Sequence, residues 1–197
     1  MRKLKLEMQV SLDGFTADPD GRTDWMVWNW SADWTWDAAL RQHHIDLTTS
    51  SDCILLSRAM AVEGFSRHWE KVAADPSDPQ HAFAKPVADM RKVVFTKTLE
   101  GSAWRHTELA KGDLAETVNR LKREPGKDLL AYGGPTFASS LIRADLIDEF
   151  HLFVNPTILG HGRSMFRNLG RRRDLRLVKS TAYPCGVTVL LYDRPRG

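Results

Sequence analysis

The sequence predicts an α/β fold: a mostly parallel sheet with helices on its faces and antiparallel strands at one edge. Three observations carry this expectation. Short continuous apolar runs, "CILLS" (53–57) and "KVVFT" (92–96), read as strands buried on both faces. Helical spacing alternates with such runs over the first two thirds of the chain, the pattern of βα units. The last third changes character, because "IDEFHLFVNPTIL", "RDLRLVKSTAY" and "VTVLLYD" (187–193) read as successive strands with no helix between them, a β-meander.

Element by element, residues 4–10 alternate with period two (Leu4, Leu6, Met8, Val10) and form a strand that ends at the turn signal "SLDGF". "ADPDGRTDW" is an exposed loop. A helix is expected over 31–50, capped by Ser31 or Asp33, with Trp34, Ala38 and Ile45 among its apolar positions. A second covers 58–65. Three prolines make 66–86 mostly irregular, with room for a short helix. Leu114, Val118 and Leu121 mark a helix over 113–124, stopped by Pro125-Gly126. "LLAYGG" is a strand and 135–144 a helix.

At 197 residues the chain is expected to form a single domain over 1–197, with a substantial core. Net charge is +3, from 28 basic against 25 acidic residues, which argues against nucleic-acid binding. The run Arg171-Arg172-Arg173 is answered by Asp174 and reads as a solvated turn. No run of about 18 apolar residues occurs, so no membrane association is expected. Cys53 lies in an apolar run and reads as a small buried residue, and with Cys185 far away in sequence a reduced, cytoplasmic protein is expected. His43 and His44 are adjacent and cannot share a helix face, and no spacing suggests a metal site.

Three junctions beyond the carboxyl ends of strands are candidates for ligand binding: "LLSRAM", "VVFTKTL" and "LLAYGGPTF". They offer Arg58 at a helix start, then Thr96, Lys97 and Thr98, then the bare pair Gly133-Gly134 ahead of Pro135. Taken alone, the glycines fit a tight turn as well as a phosphate cradle. Beside two cationic side chains they favour a ligand with several phosphates at a helix N-terminus. Of the tryptophans in "DWMVWNWSADWTW", Trp25 fits either packing or the wall of a pocket for a flat ring; the others favour packing.

The order of "SLDGF", "DW", "ILLSR", "VVFTKTL" and "YGGPTFASSLIRADLIDEFHLFVNPTILGHGRSMF" closely resembles the reductase domain of riboflavin biosynthesis, a dihydrofolate-reductase-like fold. The resemblance spans nearly the whole chain. It implies a three-layer fold with a central mixed sheet of about eight strands, NADPH as hydride donor, a homodimer, and reduction of a small nitrogen heterocycle or sugar-linked imine. It places Gly133 and Gly134 at a glycine pair whose linking peptide is typically cis, with Pro135, Thr136 and Phe137 continuing the cofactor site. Thr96, Lys97 and Thr98 match the segment around the adenosine ribose, Lys97 facing the 2′-phosphate. Ser57 and Arg58 match a Gly-Arg pair, and Thr16 and Ala17 the residues beside the nicotinamide. Trp25 and Tyr132 are the expected substrate contacts; Asp24 and Asp13 are the candidate proton donors. The chain departs from the pattern at Ser57, Met60 and Tyr132, where the family tends to carry Gly, Thr and Glu. The alternative is a nucleotide-binding homologue that has lost the chemistry.

Overall fold

The structure, a computed structural model, describes residues 1–102 and 104–195. In chain order its elements are β1 (Leu4–Val10), α1 (Ala38–Thr49), β2 (Ser51–Ser57), α2 (Arg58–Glu63), α3 (Phe65–Ala73), α4 (His81–Asp89), β3 (Arg91–Phe95), β4 (Thr107–Ala110), α5 (Leu114–Arg123), β5 (Asp128–Tyr132), α6 (Pro135–Arg143), β6 (Glu149–Val154), β7 (Arg176–Ala182) and β8 (Thr188–Asp193). The strands form one eight-stranded sheet in the order β4-β3-β2-β5-β1-β6-β8-β7. From β4 to β6 every pairing is parallel; β8 joins β6, and β7 joins β8, antiparallel.

Helices cover both faces of the parallel part. Leu4, Leu6, Met8 and Val10 of β1 share one core with Val118 and Leu121 of α5 and Leu141 of α6. Ile54 and Leu56 of β2 share the other with Leu40 of α1, Trp69 of α3, Phe83 of α4 and the rings of Trp28 and Trp36. This is the expected three-layer α/β arrangement.

Four local expectations are corrected. The helix expected over 31–50 starts at Ala38, because Asp37 is its cap, its carboxylate accepting from the Leu40 amide at 3.1 Å. Trp34 and Trp36 therefore lie in the preceding loop and bury their rings from there. The stretch 66–86 is mostly helical, in α3 and α4, because Phe83, Ala84, Val87 and Ala88 bury one face of α4 and outweigh the helical bond that Pro86 removes. A short edge strand, β4, adds to the strands expected from the sequence. The chain does not end in a meander: β8 lies between β6 and β7. Of that hairpin, β7 is exposed almost throughout while β8 buries Val189, so the more apolar strand takes the inner place.

The other face of β1 carries polar side chains into the interior. Its residues are Lys5, Glu7 and Gln9, and α1 packs over this face, with His44 against Glu7 and Ser50 against Lys5; Lys5 and Glu7 are buried. Lys5 is answered by Asp128 at 2.9 Å and by the Ser50 hydroxyl at 2.8 Å. Gln9 donates to the Trp28 carbonyl at 2.8 Å, which ties the long first loop to the sheet.

At the switch from parallel to antiparallel pairing stands Glu149, flanked by His151 at 3.4 Å and Lys3 at 2.6 Å. These two hold its carboxyl down at about 2, against 4.5 for the free side chain. A carboxyl depressed on folding contributes stability above its unfolded value and loses it as pH falls through its folded value, here from about 4.5 to about 2. Glu149→Gln is expected to lower unfolding free energy by up to about 3 kcal/mol at pH 7. Chemical denaturation from pH 7 to pH 2.5 should show that gap closing; a gap that does not change with pH contradicts the assignment.

Candidate functional site

Parallel strands end together, so the segments that leave β2, β5 and β1 gather at one edge of the sheet. A cavity of ≈ 500 Å³ opens there. Its sheet-edge wall is made by Ser57 and by Gly133, Gly134, Pro135, Thr136 and Phe137; Thr16 and Ala17 of the first loop stand among the other lining residues. Toward the interior, Trp28, Trp30, Trp36, Phe65, Trp69 and Phe83 complete it. Of these rings Trp30 is half-buried, while the rest pack into one another behind the wall.

The two glycines serve different purposes. Neither has a positive φ, and no peptide among the described residues is cis, so the linkage expected to be cis at Gly133-Gly134 is trans. Gly134 is extended (φ −69°, ψ 165°), a conformation open to any residue, and it joins the strand to the helix without a cis bond. At Gly133 a Cβ would stand 2.7 Å from Cδ1 of Phe137, whose ring packs on Phe95 at 5.3 Å, so packing forbids a side chain. At Gly134 a Cβ would meet nothing within 4 Å. This residue caps α6 with no side-chain hydrogen bond, and Pro135 follows at the first helical position. Neither conformation nor internal packing calls for glycine at 134; what it leaves is bare backbone on a cavity wall at a helix N-terminus.

The remaining expected cofactor residues divide. Ser57 lines the cavity, and its hydroxyl accepts from the Met60 amide at 3.2 Å, capping α2; the departure from glycine is used within the protein. Arg58, Lys97 and Thr98 are exposed, and none of them lines the cavity. Thr96 is buried, its hydroxyl accepting from the amides of Thr98 and Leu99 at 3.1 Å each, which folds the loop that carries Lys97. Thr16 is fixed through its amide and hydroxyl to the Arg163 carbonyl, each at 2.8 Å.

The expected substrate and proton-transfer residues are mostly not brought to the cavity. Trp25 is turned away, its indole N–H on the Arg22 carbonyl at 3.2 Å. Asp13 ties two loops together, accepting from Ser11 at 2.6 Å and from the Gly160 amide at 2.7 Å; the Ser11 hydroxyl leads in keeping its carboxyl below the usual range. Asp24 is exposed and outside the lining. Only Tyr132 stands at the cavity.

Glu7, which no motif in the sequence singles out, is the carboxylate that lines the cavity next to Tyr132. Its Oε2 accepts from the Tyr132 hydroxyl at 2.9 Å and its Oε1 lies 2.7 Å from His44 Nε2. Thr48 completes the group, 3.2 Å from the Tyr132 hydroxyl. Burial, then the neighbouring carboxylate, pushes the Tyr132 phenol well above its ordinary value, so it stays a donor. His44 stacks on Phe83 with centroids 4.1 Å apart. A polar row on a strand covered on both faces is buried and therefore partnered, but the alternation in the sequence does not say that both faces are covered.

The model of the RibD C-terminal domain matches residues 2–189. The chain belongs to the RibD C-terminal domain family. Among relatives of this RibD C-terminal domain, the Bacillus subtilis protein YyaP is 28% identical over 193 residues, 97% of this chain and 94% of that protein. A solved structure from Shewanella sp. PV-4 superposes with a TM-score of 0.71 at 22% identity, covering 98% of this chain and 99% of the other. A second, a diaminohydroxyphosphoribosylaminopyrimidine deaminase/5-amino-6-(5-phosphoribosylamino)uracil reductase from Thermotoga maritima, does so with a TM-score of 0.67 at 17% identity, covering 98% of this chain and 57% of that one. These two likenesses establish the shared fold.

The glycine pair of this RibD C-terminal domain is separable by experiment. Gly133→Ala is expected to lower stability by about 1–3 kcal/mol through the contact with Phe137, and Gly134→Ala to leave it within about 0.5 kcal/mol. Thermal unfolding of both variants checks this; equal losses contradict the division.

Proposed function

We propose that the chain is an NADPH-dependent reductase, related in activity to the uracil reductase of riboflavin biosynthesis and acting on a small nitrogen heterocycle or a sugar-linked imine. The observation that supports it best is Gly134: bare backbone in ordinary conformation, with nothing of the protein within 4 Å of its missing Cβ, on the cavity wall at the uncapped start of α6. A dinucleotide diphosphate needs close approach to backbone and a helix N-terminus, and both are present.

The residues fit the cofactor. Gly134, Pro135 and Thr136 would take the diphosphate, Thr16 and Ala17 would lie beside the nicotinamide, and exposed Lys97 would meet the 2′-phosphate. When bound, the reduced nicotinamide supplies hydride. The protein supplies position, since a ring held against the substrate carbon in the cavity meets it at high effective concentration. It also supplies a rigid wall, because Tyr132, Glu7, His44 and Thr48 are joined by hydrogen bonds across β5, β1 and α1.

The homodimer is part of the proposal. Among the described residues β7 pairs only with β8, so its outer side is a sheet edge with Leu177 and Val178 about half exposed, a surface that the same strand of a second copy covers. Sedimentation should give twice the chain mass, and Val178→Lys should move it toward the monomer; a wild-type monomer at all concentrations removes this part.

For the cofactor, quenching of tryptophan fluorescence by NADPH and NADH is the direct test. NADPH should bind more tightly. Lys97→Ala should weaken NADPH about ten- to a hundredfold, roughly 1.4–2.8 kcal/mol, with little effect on NADH. Gly134→Val should abolish binding of both while leaving the fold intact. Wild-type protein that binds neither nucleotide, or Gly134→Val that binds as wild type, overturns the reading.

A further inference from the structure

The arginine run that reads as a solvated turn in the sequence is only partly one. A second cavity, of ≈ 390 Å³, opens at the opposite end of α6 from Gly134, beside the start of β6. Ile142, Ile147 and Phe150, all buried, form its floor, with half-buried Leu175 beside them. Arg171, Arg172, Arg173 and Arg194 line it together with two carboxylates, Asp145 and Asp174. These guanidiniums have different duties. Arg173 is a clamp: it donates to Asp145 at 2.9 Å, to the Leu169 carbonyl at 3.0 Å and to the Arg143 carbonyl at 2.9 Å. The last bond satisfies a carbonyl at the C-terminal end of α6 and pins the run to the helix. Arg171, Arg172 and Arg194 are exposed around it.

Negative charge runs short here. Asp145 is shared, since Arg171 and Arg173 both donate to it. Asp148, 3.9 Å from Arg194, is already matched by buried Lys122. Arg194 donates instead to the Asp145 carbonyl, which carries no net charge. Arg172 pairs with Asp174 at 2.6 Å, but both are exposed, so water and salt weaken the pair. Four guanidiniums against two carboxylates leave two positive charges unmatched among the described residues of the lining. No lysine is among them, and a guanidinium fork takes two oxygens of one anion where an ammonium is a point charge.

We propose that this cavity binds a phosphate monoester, its oxygens on Arg172 and Arg194 and its organic body against Leu175 and Pro195. Such a group carries a charge of about −1.5 to −2 at pH 7. It therefore matches the two unmatched guanidiniums, whereas a carboxylate would match one. The site lies at the far end of α6 from the sheet-edge cavity and does not rest on the reductase reading.

The test follows backbone amide shifts of the labelled full chain by NMR while phenyl phosphate is added at about 0.15 M salt, where exposed charges are largely screened. Saturating shifts are expected at 171–175 and at 194. Arg172→Gln/Arg194→Gln, which leaves the Arg173 clamp in place, should weaken binding at least about tenfold. Gly134→Val, at the other end of α6, should leave it unchanged. Phenyl phosphate should bind more tightly than benzoate, the singly charged aromatic anion, and more tightly than inorganic phosphate, which lacks the organic body. No shift at 171–175, shifts confined to 133–137, or an affinity that the double variant does not change overturns the inference. Benzoate binding as tightly as phenyl phosphate overturns the charge argument, and inorganic phosphate doing so overturns the ester. A single-stranded RNA that shifts these amides where phenyl phosphate does not overturns it in favour of a polyanion surface.

Discussion

The site depends on one buried carboxylate. Glu7 sits on a strand flanked on both sides by parallel neighbours, its side chain is buried, and its partners come from the protein. Tyr132 at the end of β5 and His44 in the middle of α1 supply them, and Thr48 braces the phenol. A hydrogen bond to a charged group contributes about 1.5–3 kcal/mol, and leaving such a charge unpartnered costs about 3–5 kcal/mol. That difference fixes α1 against the sheet in one register and sets Tyr132 directly before the glycines. The tryptophans of the first loop are placed by the same row: Trp28, tied to Gln9, packs between His44 and Trp69.

The architecture around that group separates two tasks. One core, beneath α5 and α6, is apolar from β1 outward and holds the sheet together. The other mixes rings with the polar row of β1 and leaves a cavity where the strands end. The glycine pair lies at the boundary. Gly133 is glycine for the sake of Phe137, and Gly134 for the sake of the space in front of it.

How much of this was legible in the sequence depends on which forces were local. The strands declared themselves through continuous apolar runs, and the α/β class and mixed sheet came with them. The junction "YGGPTF" was readable because glycine and proline constrain backbone whatever surrounds them. Glu7 was not, because in "KLEMQV" the alternation suits a strand with one wet face; only the packing of α1 over β1 makes that face buried. Trp25 and Asp13 were hard to place for the same reason, since their position relative to the cavity is set by hydrogen bonds to Arg22 and to Gly160, the latter far away in sequence. The start of α1 was hidden by tryptophans whose spacing imitates a helix. The placement of β7 outside β8 required weighing two neighbouring strands against each other, which periodicity alone does not do.

The measurement that tests the central claim most directly is a crystal structure of the chain soaked with NADPH. The account predicts the diphosphate against the backbone of Gly134 at the start of α6, with the nicotinamide between Thr16 and the cavity that Glu7 and Tyr132 close. A dinucleotide bound elsewhere, or the diphosphate away from α6 with Gly134 facing solvent, would contradict it.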